Sequence, residues 1–273
     1  MDLKSTRYDV ADGIATVTLH RPERMNAWTG RMHTEYRWLL AQADADPQVG
    51  AIIVTGEGRA FCAGADAKAL EGHVAKGGYD PGTPDDLAEP GYGVRPEFDA
   101  FFAYHFGLTK PIVAAINGPA AGVGFALACY CDLRFAAAGA KMTTAHGPLG
   151  LPAEYGLSWL LPRMIGLTRA NDLLISSRKF LAEEALEMGL VNAVLPREQL
   201  LAHARGYVTD LLTRVAPSSL TATRHQIYAD LHRTAAEAVV DSEQRLSAMM
   251  KSDDYREGVA AFIGKRPANW QRG

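Results

Sequence analysis

Residues 110–128, KPIVAAINGPAAGVGFALA, decide how this chain is read. Residues 112–116 form an apolar run that suits a buried strand, and Gly118, Gly122 and Gly124 make a turn rich in glycine. An apolar helix then starts near Gly122. A helix that opens on glycines presents unbonded backbone N–H groups, and the positive end of its dipole, to whatever lies in front of it. That suits an anion or an oxygen on which negative charge develops. An ordinary strand-to-helix connection has the same local pattern, so the meaning of the turn depends on the rest of the chain.

Working outward, residues 8–10 and 14–20 flank Asp12-Gly13, a hairpin signal. Thr29 is placed to cap a helix reaching Ala45, with Met32, Tyr36, Leu39 and Ala43 on one face. Residues 51–55, AIIVT, form a short apolar strand, and a second small-residue turn, FCAGAD at 61–66, leads into a helix-like 67–70. Residues 72–95 are rich in Gly, Pro and Asp and read as a long loop of the lid type. The aromatic residues 98–108 read as a helix that offers an apolar wall. Strands are expected at 132–137, 141–144 and 191–195. Helices are expected at 157–165, with Pro162 breaking or kinking it, and at 168–176 and 182–188. Four more follow at 197–215, 218–232, 235–251 and 254–263. Strands alternate with helices early and helices dominate late, which describes an α/β core followed by a helical region.

The chain has 273 residues, 48% of them hydrophobic, enough for a substantial core. A net charge of −3 gives no electrostatic reason to expect nucleic acid or an anionic membrane as partner. No apolar run approaches a membrane span, and the first residues do not resemble a signal peptide. Cys62, Cys129 and Cys131 make an odd number without a disulfide framework, which fits a reducing, cytoplasmic setting. No metal site is expected from the Cys129/Cys131 pair, which reads as the end of a helix.

The two small-residue turns, at 63–65 and 122–124, can each bring a backbone N–H close to one ligand atom. Donors converging on a carbonyl oxygen form an oxyanion hole, which stabilises an enolate or a tetrahedral anion. A dinucleotide turn is the rival reading of Gly118, Gly122 and Gly124. Against it, the motif lies in mid-chain, and no Tyr is followed four residues later by Lys, as short-chain dehydrogenase chemistry requires.

Taken together, these motifs resemble the crotonase (enoyl-CoA hydratase/isomerase) superfamily. The resemblance extends over HRPERMNA (20–27), GEGRAFCAGAD (56–66), KPIVAAING (110–118), AEEALEMGLV (182–191) and AFIGKRPANW (261–270). It implies a spiral of ββα units over residues 1–197 and a helical oligomerisation region over 198–273, assembled as a homotrimer or a dimer of trimers. It also implies a coenzyme A thioester as substrate, with no further cofactor. The oxyanion donors would be the N–H groups of Ala65 and Val123. Ala63, Gly64, Asp66, Ala67, Gly122 and residues near Arg24 would hold the coenzyme, and Phe262 and Lys265 would close over that of a neighbouring subunit. Arg24 and Lys265 suit phosphate as cations, and equally suit a solvated surface.

The departures from the pattern bear on the reaction. Hydratases of this family use two glutamates to hold and activate water, and here those positions are Ala126 and His146. Ala126 cannot transfer a proton. His146 can, or it can serve the structure of its Gly-Pro loop. Glu154, in GLPAEYG (150–156), resembles the acidic position of enoyl-CoA isomerases. A carboxylate among apolar residues has a raised pKa and can move a proton between two carbons. The same residue also suits the start of the next helix, where negative charge is favourable. The expected activity is therefore a double-bond shift through a thioester enolate, with Glu154 as the one acid/base. The alternatives are hydration in an altered water site and a non-catalytic acyl-CoA- or RNA-binding protein.

Overall fold

Asp12 and Gly13 both adopt positive φ, 55° and 75°, and so turn the chain between β1 (Thr6–Ala11) and β2 (Ile14–Leu19). The structure is a computed structural model and describes residues 1–66, 71 and 96–271. The expected helix at 67–70 and loop at 72–95 therefore lie outside the described residues. β3 (Ala51–Gly56) and β4 (Ile112–Ile116) are buried along their whole length and add in parallel to β2. Their unbroken apolar runs suit strands covered on both faces. β6 (Leu133–Ala137) and β9 (Ala193–Leu195) complete a sheet ordered β1-β2-β3-β4-β6-β9.

A second sheet, β5-β7-β8, is built from β5 (Ala120–Ala121), β7 (Lys141–Thr143) and β8 (Phe180–Leu181). The chain thus contributes β4 then β5, and β6 then β7, to the two sheets in turn. Helices follow each pair: α2 (Val123–Cys129) after β5, and α3 (Leu157–Ile165) and α4 (Leu167–Ser176) after β7. This is the expected α/β spiral. The β5 and β8 strands were not expected, because two residues are too few to show a period.

α1 (Gly30–Ala45) is capped by Thr29, whose Oγ1 accepts the Met32 N–H at 3.1 Å, and buries Met32, Tyr36, Leu39 and Ala43. After α5 (Ala182–Glu187) and β9, α6 (Arg197–Arg214) lies on the large sheet with Leu200, Ala204, Val208 and Leu212 inward. The four-residue spacing of these side chains puts them on one helix face. α7 (Pro217–Asp230) is tied to the core by Arg224, which donates to Asp132 at 2.9 Å and to the His105 carbonyl at 2.6 Å. α8 (Ala235–Met249) has no buried residue and α9 (Asp253–Gly264) has only Ala261.

One expectation is corrected and one is narrowed. Residues 98–108 do not form an α-helix. They form two short 3-10 turns, Pro96–Phe98 and Ala103–Gly107, separated at Phe102 by a φ of 58°. Phe98, Phe102, Tyr104 and Phe106 are all buried, and their packing overrides the local helical pattern. Of the two outcomes expected at Pro162, the break is excluded, because α3 continues to Ile165. A proline inside a helix costs about 3 kcal/mol. The buried Leu157, Leu160, Leu161 and Ile165 on this helix each return roughly 1.5–3 kcal/mol.

Glu35, fully buried on α1, anchors the amino-terminal segment. It accepts from Lys4 N (2.8 Å), Ser5 N (2.8 Å) and Thr6 Oγ1 (2.7 Å), and pairs with Arg31. Burial alone would raise its pKa, but these donors together hold it below the ordinary carboxylate value. A depressed folded-state pKa gives stability that is present above the unfolded-state pKa and lost as pH falls through the folded one. Glu35→Gln should therefore destabilise the protein by about 1.5–3 kcal/mol at pH 7. In denaturant titrations its deficit against the unmodified chain should shrink below about pH 4.

Candidate functional site

Residues 61–66 run between two backbone segments. On one side Phe61 N and Cys62 N donate to the Pro119 carbonyl (3.2 and 3.1 Å), and Ala121 N donates to the Cys62 carbonyl (3.0 Å). On the other side Ala63 N donates to the Met25 carbonyl (3.1 Å), Trp28 N to the Gly64 carbonyl (2.8 Å), and Asp66 N to the Trp28 carbonyl (2.9 Å). Trp28 and Ala65 thus form a parallel bridge. In such a bridge the residues flanking Ala65 make the bonds, so the N–H of Ala65 itself points away from Trp28. Ala63 and Ala65 are both exposed, while Gly64 is buried between them.

α2 begins beside this turn. Gly122, with φ 49°, donates to the Thr143 carbonyl at 3.0 Å and reverses the chain. Val123, the first helical residue, has an N–H that no carbonyl of the helix can reach. A β-carbon at Gly124 would fall 2.4 Å from the Cys62 carbonyl oxygen and 2.5 Å from its Cβ. The first turn of α2 is therefore pressed against the backbone that carries Ala65. Cys62 is not a candidate nucleophile, since burial pushes its thiol up to about 12. Ala126, on the second turn of α2, is fully buried.

The far end of α2 holds the loop that contains Glu154. Tyr130, its C-cap residue, donates its hydroxyl to the Tyr155 carbonyl at 2.7 Å. Tyr155 has a φ of 52°, and its ring packs on Phe101 and Phe102 at centroid distances of 5.2 and 5.6 Å. Glu154 is half-buried, with its carbonyl accepting the Leu157 N–H at 3.0 Å. Burial raises the pKa of its carboxyl, and the nearby His146 pulls the other way. His146 is only 5% exposed. Its Nε2 lies 2.9 Å from the Leu174 carbonyl, which requires the proton to be on Nε2, and its buried Nδ1 has no partner. Ala145 precedes it with a φ of 61°, and its N–H donates to Thr143 Oγ1 at 3.1 Å.

The other expected residues are dispersed. Asp66 is committed to Arg21, at 2.9 Å. Arg24 is exposed on the loop that follows β2. Phe262, 86% exposed, and Lys265, the C-cap of α9, belong to the carboxy-terminal helices. Phe262 lines a cavity of about 500 Å³ between α7, α8 and α9. Ala67 lies outside the described residues. Sequence reading missed Arg21, Trp28 and Tyr130, which hold the two turns and the Glu154 loop. Each acts through a contact with a distant segment, and a single sequence carries no local signal of that. Among the described residues no group of three His, Cys, Asp or Glu side chains could hold a metal ion. No helix among them is long and apolar enough to cross a membrane.

Comparison with known proteins identifies the family. The family model described as enoyl-CoA hydratase/isomerase matches residues 9–273. A probable enoyl-CoA hydratase of Rhodobacter capsulatus is 34% identical over 271 residues, covering 99% of each chain. The 1,2-epoxyphenylacetyl-CoA isomerase of Escherichia coli is 35% identical over 261 residues, covering 94% of each. Among solved structures, a probable enoyl-CoA hydratase/isomerase from Mycobacterium abscessus superposes with a TM-score of 0.84 at 31% identity. It covers 98% of this chain and 99% of its own.

The contact of α2 with Cys62 can be tested by Gly124→Ala. In an open helix this change would stabilise by about 0.8–1.0 kcal/mol. Here the new β-carbon meets backbone, and overpacking of about 1–3 kcal/mol outweighs the helical gain. Thermal melts should show a net loss of stability, and a gain would mean that the contact is slack.

Proposed function

Because the chain belongs to the enoyl-CoA hydratase/isomerase family, we propose that it binds an acyl-CoA and moves a double bond, with Glu154 carrying the proton. The observation that carries this reading is the pairing of a half-buried carboxyl of raised pKa at Glu154 with a buried alanine at position 126. Among the described residues, the two positions that hydration would fill with carboxyls hold Ala126 and His146, and Glu154 offers a single carboxyl instead. The names of the relatives do not choose between the reactions, since one is a probable hydratase and another an isomerase at nearly equal identity.

In the proposed reaction a 3-enoyl thioester lies with its carbonyl oxygen facing the N–H groups of Ala65 and Val123. The Glu154 carboxylate takes a proton from C2, and the electrons of that C–H bond pass into a dienolate whose charge rests on the thioester oxygen. The protonated Glu154 returns the proton at C4, leaving the double bond between C2 and C3. The two N–H donors act most strongly on the charged intermediate, which is the condition for lowering the barrier rather than only tightening binding. The partly apolar surroundings of Glu154 bring its two protonation states closer in energy, which suits a group that must accept and then release a proton. Arg24, with the turn at Ala63 and Gly64 and the turn at Gly122, holds the coenzyme.

Hydration is the second reading, and His146 favours it. Its Nδ1 has no hydrogen-bond partner in the protein and, with the proton on Nε2, can accept one from a water molecule. The two reactions separate in one assay, isomerisation of a 3-enoyl-CoA against hydration of crotonyl-CoA. The isomerase reading expects the first to dominate and Glu154→Gln to lower its kcat by about 10²–10⁴-fold. Unchanged rates would remove Glu154 from the chemistry. Since Glu154 must be ionised to take the first proton, the acidic limb of kcat/KM should lie above the ordinary Glu value of 4.5 and disappear in Glu154→Gln.

The carboxy-terminal helices expose Val239, Val240, Leu246, Tyr255, Val259, Phe262 and Ile263, a surface suited to subunit contact. We propose that residues 198–273 assemble the chain as a homotrimer or a dimer of trimers, with Phe262 and Lys265 reaching a neighbouring subunit's coenzyme. Light scattering should give three or six times the chain mass, and Phe262→Asp should lower it if that residue is in the contact.

A further inference from the structure

We propose that Arg21 is a positioning residue for the oxyanion donor, aiming the Ala65 N–H through its ion pair with Asp66. The inference rests on the acyl-CoA reading above and deepens it.

The Arg21 guanidinium makes two bonds, one to Asp66 Oδ2 at 2.9 Å and one to the Ala27 carbonyl at 2.7 Å. Asp66 follows Ala65, and Ala27 precedes Trp28, the bridge partner of Ala65. One planar cation thus links both strands of the Trp28–Ala65 bridge immediately beside the donor. Its own backbone is held as firmly. Arg21 N donates to Asn26 Oδ1 at 2.9 Å, and Asn26 Nδ2 donates to the Glu57 and Ala60 carbonyls at 2.9 and 2.8 Å. The Arg21 carbonyl also accepts from Arg24 N and Asn26 N, both at 2.9 Å. Met25 and Asn26, which lie between Arg21 and Ala27, take positive φ of 52° and 55°, so this loop is set by its contacts and not by local preference.

The pair is partly open to solvent, 21% and 13% exposed at the two side chains. For charges this far out of water, desolvation offsets much of their attraction, so the intact pair adds little net stability. Direction is what it adds. The Trp28–Ala65 bridge, with the Ala63–Met25 bond before it, fixes which way the Ala65 N–H points. The guanidinium adds a side-chain tie on the far side of the donor, from Asp66 to the Ala27 carbonyl. A donor misaligned by a fraction of an ångström loses its effect on a developing oxyanion while still admitting the ligand. The role differs from ligand binding, for Asp66 Oδ2 bonds Arg21 rather than a ligand.

The test reads the thioester carbonyl directly. Isotope-edited infrared spectra of bound hexanoyl-CoA, labelled with carbon-13 at C1, report how strongly the donors polarise that bond. The unmodified protein should lower the stretching frequency relative to solution. Arg21→Met and Asp66→Asn should each lose most of that shift. In each, kcat for the 3-enoyl-CoA should fall by about 10-fold or more, with KM and the affinity for free coenzyme A within about 2-fold of the original. The double variant should be no worse than either single one, and Arg21→Lys should recover part of the shift. The proposal is overturned if the carbonyl shift survives in both single variants, or if kcat falls only in proportion to folded protein measured by thermal melting. If the unmodified protein binds hexanoyl-CoA without shifting its carbonyl, or does not bind it, the acyl-CoA oxyanion reading fails and takes this proposal with it.

Discussion

The structure turns on one backbone contact. The first turn of α2 lies so close to Cys62 that position 124 has room for hydrogen and nothing larger. That contact joins two parts of the chain separated by some sixty residues and sets the start of α2 against the segment that leads to Ala65. Hydrogen bonds from Phe61, Cys62 and Ala121 fix the same seam. Backbone groups make up the whole of this arrangement, so it needs glycine and alanine and tolerates few other residues. Turns of this kind leave N–H groups that have no place in either sheet or helix, and those are the groups able to meet an anion.

From that seam α2 carries the geometry to the acid. Its seven residues span about 10 Å, with a candidate donor at one end and Tyr130 at the other. Tyr130 holds Tyr155, and Tyr155 stands next to Glu154. Backbone strain gathers at the same places. Ala145 and Tyr155, each beside a candidate proton-handling residue, take a left-handed conformation that costs roughly 1–3 kcal/mol for a side chain with a β-carbon. Thr143, Tyr130 and the Phe101/Phe102 rings supply the contacts that hold it. The Glu35 anchor and the Arg224–Asp132 tie do comparable work farther away, closing the amino-terminal segment and α7 onto the core.

Much of the architecture was legible in the residues. The AIIVT and PIVAAI runs, the Asp12-Gly13 turn and the Thr29 cap carry their meaning locally, and the elements formed where they indicate. The aromatic stretch at 98–108 misled, because burial of Phe98, Phe102 and Tyr104 overrode the helical pattern. The two-residue strands β5 and β8 were invisible for want of a period. At the candidate site, the turns at 63–65 and 122–124 and the carboxyl of Glu154 were all legible as candidates. The parts that hold them, Arg21, Trp28 and Tyr130, were not, because each works through a partner that lies far away in the chain.

The sequence by itself determined which chemical groups are available: two small-residue turns, one carboxyl at 154, an imidazole at 146 and an alanine at 126. Composition and local pattern suffice for that, since residue type and helix or strand preference are properties of short stretches. Only the tertiary structure decided that Asp66 is bonded to Arg21, that His146 keeps its proton on Nε2 toward Leu174, and that the pKa of Glu154 is raised. Those facts depend on which segments meet and how much water they exclude, and neither is a property of any stretch taken alone.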